Sequence, residues 1–166
     1  QLACPKLYRE KNRMASPLNF NTSRKNPRMN ESYLYGLRDH YPHMKPADVE
    51  IWEEFINQNP KAYDTVIYDQ AVGEGANIPE GTEENIARDF KILTQWKIDV
   101  IGFFQDQIHI IELKPNAGIS ALGQALGYAN LFKKTFTPSV NVTPVVITDV
   151  LRPDMLALAK DMGVKM

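Results

Sequence analysis

The chain has 166 residues, 43% of them apolar, and a formal net charge of −1 at neutral pH. This length fits one ordinary domain and excludes two full ones, and the apolar fraction is sufficient for a buried core. No apolar run approaches the ~20 residues that a membrane-spanning helix needs, and the near-zero net charge, taken by itself, argues against a strong nucleic-acid binder.

The charge is distributed unevenly along the chain. Residues 1–45 contain nine Lys or Arg and three Asp or Glu, whereas residues 46–166 contain ten and seventeen. We therefore predict an extended basic N-terminal arm over residues 1–45, followed by a single acidic domain over residues 46–166. The arm fits contact with phosphates or with an acidic partner, and a solvated tail fits equally well. Its cations include Lys6, Arg9, Lys11, Arg13, Arg24, Lys25 and Arg28.

The first predicted elements of the domain are a helix and a strand. Pro46 suits the first turn of a helix, and Asp48 suits the positive end of its dipole. Asn59 and Pro60 end this helix, and residues 65–72 form an apolar strand. Residues 73–84, with three glycines and one proline, are predicted to form a loop, followed by a helical turn over residues 84–90.

The second half of the domain alternates strands and helices. Residues 96–104 and 109–114 predict two apolar strands joined by a tight turn, that is, a hairpin. A helix over residues 119–133, a buried strand over 143–148 and a short amphipathic helix over 153–162 follow. This order predicts an α/β fold in which helices flank a mixed β-sheet.

Two acidic residues lie inside the apolar strands of the hairpin. Asp99 is in the first strand and Glu112 in the second, and a charge in such a setting is costly unless it is paired or bound to a metal. Because strand side chains alternate, Glu112 and Lys114 point to the same face, whereas Leu113 points into the core. This trio is a candidate site for a hard cation, and an ordinary ion pair of the acids with Lys97 or Lys114 is the structural alternative.

The order of these residues resembles a known superfamily. Asp99 followed by Glu112-Leu113-Lys114 on the next strand looks like the D…E-x-K signature of PD-(D/E)XK nucleases. Gln124 and Tyr128, four residues apart on the following helix, are similar to the Q-x-x-x-Y motif of the RecB-type branch. The resemblance covers residues 46–150 and implies a restriction-endonuclease-like core with the element order αβββαβ.

The resemblance also implies an activity and a role for each residue. It implies a deoxyribonuclease in which Asp99 and Glu112 bind Mg²⁺ or Mn²⁺, while Lys114 polarises the attacking water. Gln124 and Tyr128 then help to position the lysine and the nucleic-acid backbone. The family places a further acid on the first helix, where Glu50, Glu53 and Glu54 are available. Glu53 borders the apolar face, so we expect Glu53 to be the third metal ligand.

A second interpretation is a structural or DNA-contacting component of a larger assembly, such as a phage particle, that reuses this fold with little or no activity. Its basic arm would then contact protein partners.

Cys4 is the single cysteine, and the N-terminus has no apolar segment of the kind found in a signal peptide. We therefore expect a cytoplasmic location, or the virion under the second interpretation. The sequence does not decide the type of nucleic acid, whether cleavage is endo or exo, or whether the protein forms a homo-oligomer.

Overall fold

The computed structural model describes residues 28–166, so the arm cations from Lys6 to Lys25 lie outside the described residues. Strands and helices follow one another along this part of the chain. In chain order they are β1 (Ser32–Leu34), α1 (Pro46–Gln58), β2 (Thr65–Val72), α2 (Glu84–Thr94), β3 (Trp96–Phe104), β4 (Gln107–Leu113), α3 (Ile119–Phe136), β5 (Asn141–Ile147) and α4 (Pro153–Met162).

The strands form one mixed sheet in the order β1-β2-β3-β4-β5. Neighbouring strands are antiparallel from β1 to β4, and β4 pairs with β5 in parallel. A parallel pair needs a long crossover connection, and α3 supplies it between β4 and β5. The α/β class and the mixed sheet flanked by helices are thus confirmed.

Each face of the sheet is covered by its own apolar cluster. On one face, Ile101 and Ile110 of the sheet pack with Phe132 of α3. On the opposite face, Ile111 packs with Trp52 of α1, which is fully buried. The alternation of strand side chains produces these two clusters, because consecutive residues of β4 point to opposite sides of the sheet.

Most predicted elements agree with the structure. The strand predicted over residues 65–72 is β2, and the one over 96–104 is β3. Pro46 begins α1, and Asn59 caps its end. No helix within residues 28–166 is long and apolar enough to cross a membrane.

Two regions differ from what the sequence predicts. β1 lies within the segment assigned to the arm, yet Ser32 pairs with Ile67 at the edge of the sheet. The turn predicted over residues 84–90 is the beginning of α2, which extends to Thr94 and buries none of its side chains. A helix without a buried face has little tertiary support, and the apolar pattern of the sequence therefore predicts a shorter helix than the structure has.

Candidate active site

Asp99 and Glu112 lie on adjacent strands and hydrogen-bond to each other. Val100 and Ile111 are the last paired residues at this end of β3 and β4, and the two acids lie immediately beyond them. Ile110, two residues before Glu112, packs against α3, and alternation along β4 directs Glu112 to that face. The backbone N–H of Leu113 donates a 2.9 Å hydrogen bond to Asp99 Oδ2, which fixes the aspartate against β4.

The two acids hydrogen-bond to each other, and their ionisations are coupled. Burial and the nearby Asp99 charge raise the pKa of Glu112 from 4.5 to about 8. Burial also raises the pKa of Asp99, but the Leu113 N–H and a hydrogen bond from Glu112 oppose that rise. Each carboxylate therefore disfavours ionisation of the other, as expected for two acids in contact away from water.

Lys114 lies beside the pair, as the strand alternation predicts. Its Nζ is 3.7 Å from Glu112 Oε1, and its side chain is 42% exposed while that of Glu112 is 5% exposed. This distance is long for an ion pair, and the half-exposed ammonium gains little from it. The lysine is therefore not neutralised by the buried acids and is accessible to an anion that approaches from solvent.

Gln124 and Tyr128 meet on one face of α3. Gln124 Nε2 donates to the Tyr128 hydroxyl at 3.4 Å. Burial raises the pKa of Tyr128, the Gln124 hydrogen bond lowers it, and the charges of Glu112 and Asp99 raise it further. Tyr128 therefore lies within electrostatic range of both acids.

On α1, the acid that acts on the pair is Asp48. Its charge raises the pKa of both Asp99 and Glu112. Glu53, the residue expected from the sequence, instead interacts with Tyr41, whose pKa it raises through its charge and a hydrogen bond. Asp48 lies in the first turn of α1 and Glu53 in the middle of the helix, beside the buried Trp52.

The sheet is interrupted beside Asp99. Tyr68 pairs with Val100 and Gln70 with Ile98, whereas the intervening Asp69 and Asp99 are not paired. Asp69 has a φ of 51°, an unfavourable conformation for a residue with a Cβ, and Asn30 Nδ2 donates to its carbonyl at 2.7 Å. Backbone strain of this kind is frequent at functional sites. Nothing in the local sequence predicts it, because an aspartate in a strand does not by itself indicate a positive φ.

The chemistry of the donor set fits a hard divalent cation. A cation between Asp99 and Glu112 would allow both to ionise, and Mg²⁺ and Mn²⁺ prefer such oxygen ligands. Within the described part of the chain, no three His, Cys, Asp or Glu side chains form a group that could hold a metal. Asp99 and Glu112 would be side-chain ligands, and water and substrate would complete the shell, as is common for Mg²⁺.

Comparison with known protein families, curated proteins and solved structures finds no match to this chain.

Proposed function

We propose that this protein is a metal-dependent nuclease that hydrolyses DNA phosphodiester bonds, with a restriction-endonuclease-like core. The observation that carries the proposal is the contact between the half-buried Asp99 and the buried Glu112, with the Lys114 ammonium 3.7 Å from Glu112 Oε1. Buried like charges are costly in a fold that does not use them. Strongly perturbed pKa values of this kind are concentrated at functional sites.

Each residue has a distinct role in this proposal. Asp99 and Glu112 would hold Mg²⁺ or Mn²⁺, with the charge of Asp48 adding to the negative potential of the site. When bound, the ion lowers the pKa of a water molecule and offsets charge on the phosphate. Lys114 donates to a phosphate oxygen or to the attacking water, and it stabilises the negative charge that develops during attack.

Gln124 and Tyr128 would position the substrate and the lysine. Gln124 orients the Tyr128 hydroxyl through its 3.4 Å hydrogen bond. The Tyr128 O–H is then available as a donor beside the two acids, where a phosphate oxygen would lie. Arg28 and the arm cations that precede it would add contacts to phosphates that do not depend on base sequence.

The test is cleavage of plasmid and linear DNA in Mg²⁺ or Mn²⁺. We expect the wild-type protein to cut, and Asp99→Ala and Lys114→Ala each to lose about 100-fold or more in rate. Asp161→Ala and Lys160→Ala are matched controls, because both residues are exposed on α4, and they should cut like the wild type. Cleavage that survives both site substitutions would reject the assignment.

The alternative is a DNA-contacting or structural component of a larger assembly. Two observations favour it: the excess of cations in residues 1–45, and the exposed apolar side chains of α2. Under this alternative the wild-type protein binds DNA without cutting it, and calorimetry detects no divalent ion bound by Asp99 and Glu112. It also expects co-purification with an assembly partner.

A further inference from the structure

Trp96 has a large aromatic side chain that is exposed to solvent on the strand that contains Asp99. It is the first residue of β3, three positions before Asp99. Its side chain is 60% exposed, whereas Trp52, the other tryptophan of the chain, is fully buried. An indole buries a large apolar area when it finds a partner, and its flat π-face suits stacking against another ring.

Tyr128 connects Trp96 to the carboxylate pair. The two ring centroids are 6.3 Å apart with an interplanar angle of 40°. Burial and the charges of Glu112 and Asp99 raise the pKa of the Tyr128 hydroxyl. Gly73 lies near the other side of the indole, since a Cβ placed on it would be 3.7 Å from Trp96 Cδ1. The indole is thus held at the rim of the site.

On the basis of the proposed nuclease function, we propose that Trp96 stacks on an unpaired base of a single-stranded segment of DNA whose phosphate lies at Asp99 and Glu112. Every base has a π-face, so stacking on an aromatic side chain tolerates any sequence. In a duplex those faces are covered by neighbouring base pairs, and only base edges are presented in the grooves. The substrate class is therefore a single strand or a single-stranded end.

The continuity of this surface with the carboxylate pair favours a nucleic-acid occupant over a protein. Trp96 lies three residues before Asp99 on β3, and its ring is 6.3 Å from that of Tyr128, which packs on the sheet from α3. A strand that places one phosphate at the acids would bring an adjacent base toward this exposed indole.

Tryptophan fluorescence tests the proposal directly, because Trp96 is exposed and Trp52 is not. Protein is titrated in Ca²⁺ with an oligothymidylate of about 15 nucleotides and, separately, with a blunt duplex of about the same length. We expect the single strand to quench the emission more than the duplex does. Trp96→Leu should abolish the quenching and weaken single-strand binding, measured by anisotropy of a labelled strand, by roughly 5- to 150-fold.

Two variants separate stacking from a general loss of apolar surface. Trp96→Phe keeps a ring and should keep most of the affinity. Leu93→Ala removes an apolar side chain that is 82% exposed at the end of α2, and it should bind like the wild type. The proposal is overturned if Trp96→Leu binds the single strand as tightly as the wild type, or if the duplex quenches equally. Quenching that depends on protein concentration without DNA would also overturn it, because a second copy would then cover Trp96.

The outcomes for cleavage and for stacking are distinguishable. Quenching by the single strand without cleavage in Mg²⁺ or Mn²⁺ would refute the nuclease function and leave the stacking contact. Cleavage of blunt duplex at the same rate by Trp96→Leu and the wild type, without quenching, would refute the stacking contact alone.

Discussion

The backbone N–H of Leu113 donates to Asp99 Oδ2 at 2.9 Å, immediately beyond the last paired residues of β3 and β4. A side-chain carboxylate thus serves as the acceptor for a strand N–H. This bond favours the ionised form of Asp99 and opposes the rise in pKa that burial causes. The first prediction depends on the raised pKa of its partner, Glu112.

The first prediction concerns stability and pH in EDTA. The pKa of Glu112 is raised from 4.5 to about 8. Between these values the folded state binds more protons than the unfolded state, so the free energy of unfolding decreases as pH rises. We expect Glu112→Gln to raise Tm near pH 8 and to reduce this slope, as measured by thermal melts across the range.

The measurement needs a control variant and is restricted to pH values above 6.5. Glu50→Gln removes an exposed acid of α1 and should keep the wild-type slope. Burial and Lys165 lower the pKa of His109 to about 4, so His109 decreases stability as pH falls below 6.5. Above pH 6.5 this opposing effect is absent. Equal slopes for Glu112→Gln and the wild type in that window would contradict a raised pKa.

The second prediction concerns divalent ions. An ion that binds only the folded state at about 100 times its Kd adds about 2.7 kcal/mol to stability, a Tm increase of roughly 5–10 °C. We expect Mg²⁺ or Mn²⁺ to produce such an increase in the wild type and in Asp161→Asn, but not in Asp99→Asn. An equal increase in Asp99→Asn would show that the ion binds elsewhere.

The third prediction concerns the pair on α3. Tyr128→Phe removes the hydroxyl to which Gln124 donates at 3.4 Å. A hydrogen bond of this kind contributes about 0.5–1.5 kcal/mol, so the cleavage rate should fall by up to about 10-fold. Gln124→Ala should have a similar effect, and the double variant should lose little more because the two residues act as a unit.

Tyr35→Phe is the matched control for that pair. It removes a hydroxyl that donates to the Asn59 carbonyl at 2.8 Å in the cluster around Trp52. Its cleavage rate should equal that of the wild type. Fully additive losses for Gln124→Ala and Tyr128→Phe would argue that the 3.4 Å hydrogen bond does not couple them.

The fourth prediction concerns packing on the α1 face. A Cβ on Gly102 would lie 2.4 Å from Tyr63 Cε1, closer than any real contact. Tyr63 is buried and its hydroxyl is 3.0 Å from His109 Nδ1, so the ring has little room to move. We expect Gly102→Ala to destabilise the protein by about 1–3 kcal/mol in denaturant unfolding.

Gly123→Ala provides the opposite case. Gly123 lies in α3, and no atom lies within 4 Å of a Cβ added there. Alanine is the better helix former, so this variant should be more stable by about 0.5–1 kcal/mol. A Gly102→Ala protein as stable as Gly123→Ala would contradict the close approach of the Tyr63 ring.

Trp96 illustrates what a local pattern leaves out. The sequence assigns it correctly to the start of a strand, because apolar residues follow it without interruption. Its exposure depends on α2, which ends two residues earlier and packs no buried side chain over it. No spacing rule predicts that a helix rich in apolar residues will lie away from the core.

The sequence by itself determined the strands that contain the acids, the ends of α1 and the alternation that puts Glu112 and Lys114 on one face. These features depend on local signals such as apolar runs, Pro46 and Asn59. Only the tertiary structure decided that β1 joins the sheet, that Asp48 acts on the pair while Glu53 interacts with Tyr41, and that burial raises the pKa of Glu112. Long-range packing and burial set these outcomes, and neither is encoded in the spacing of neighbouring residues.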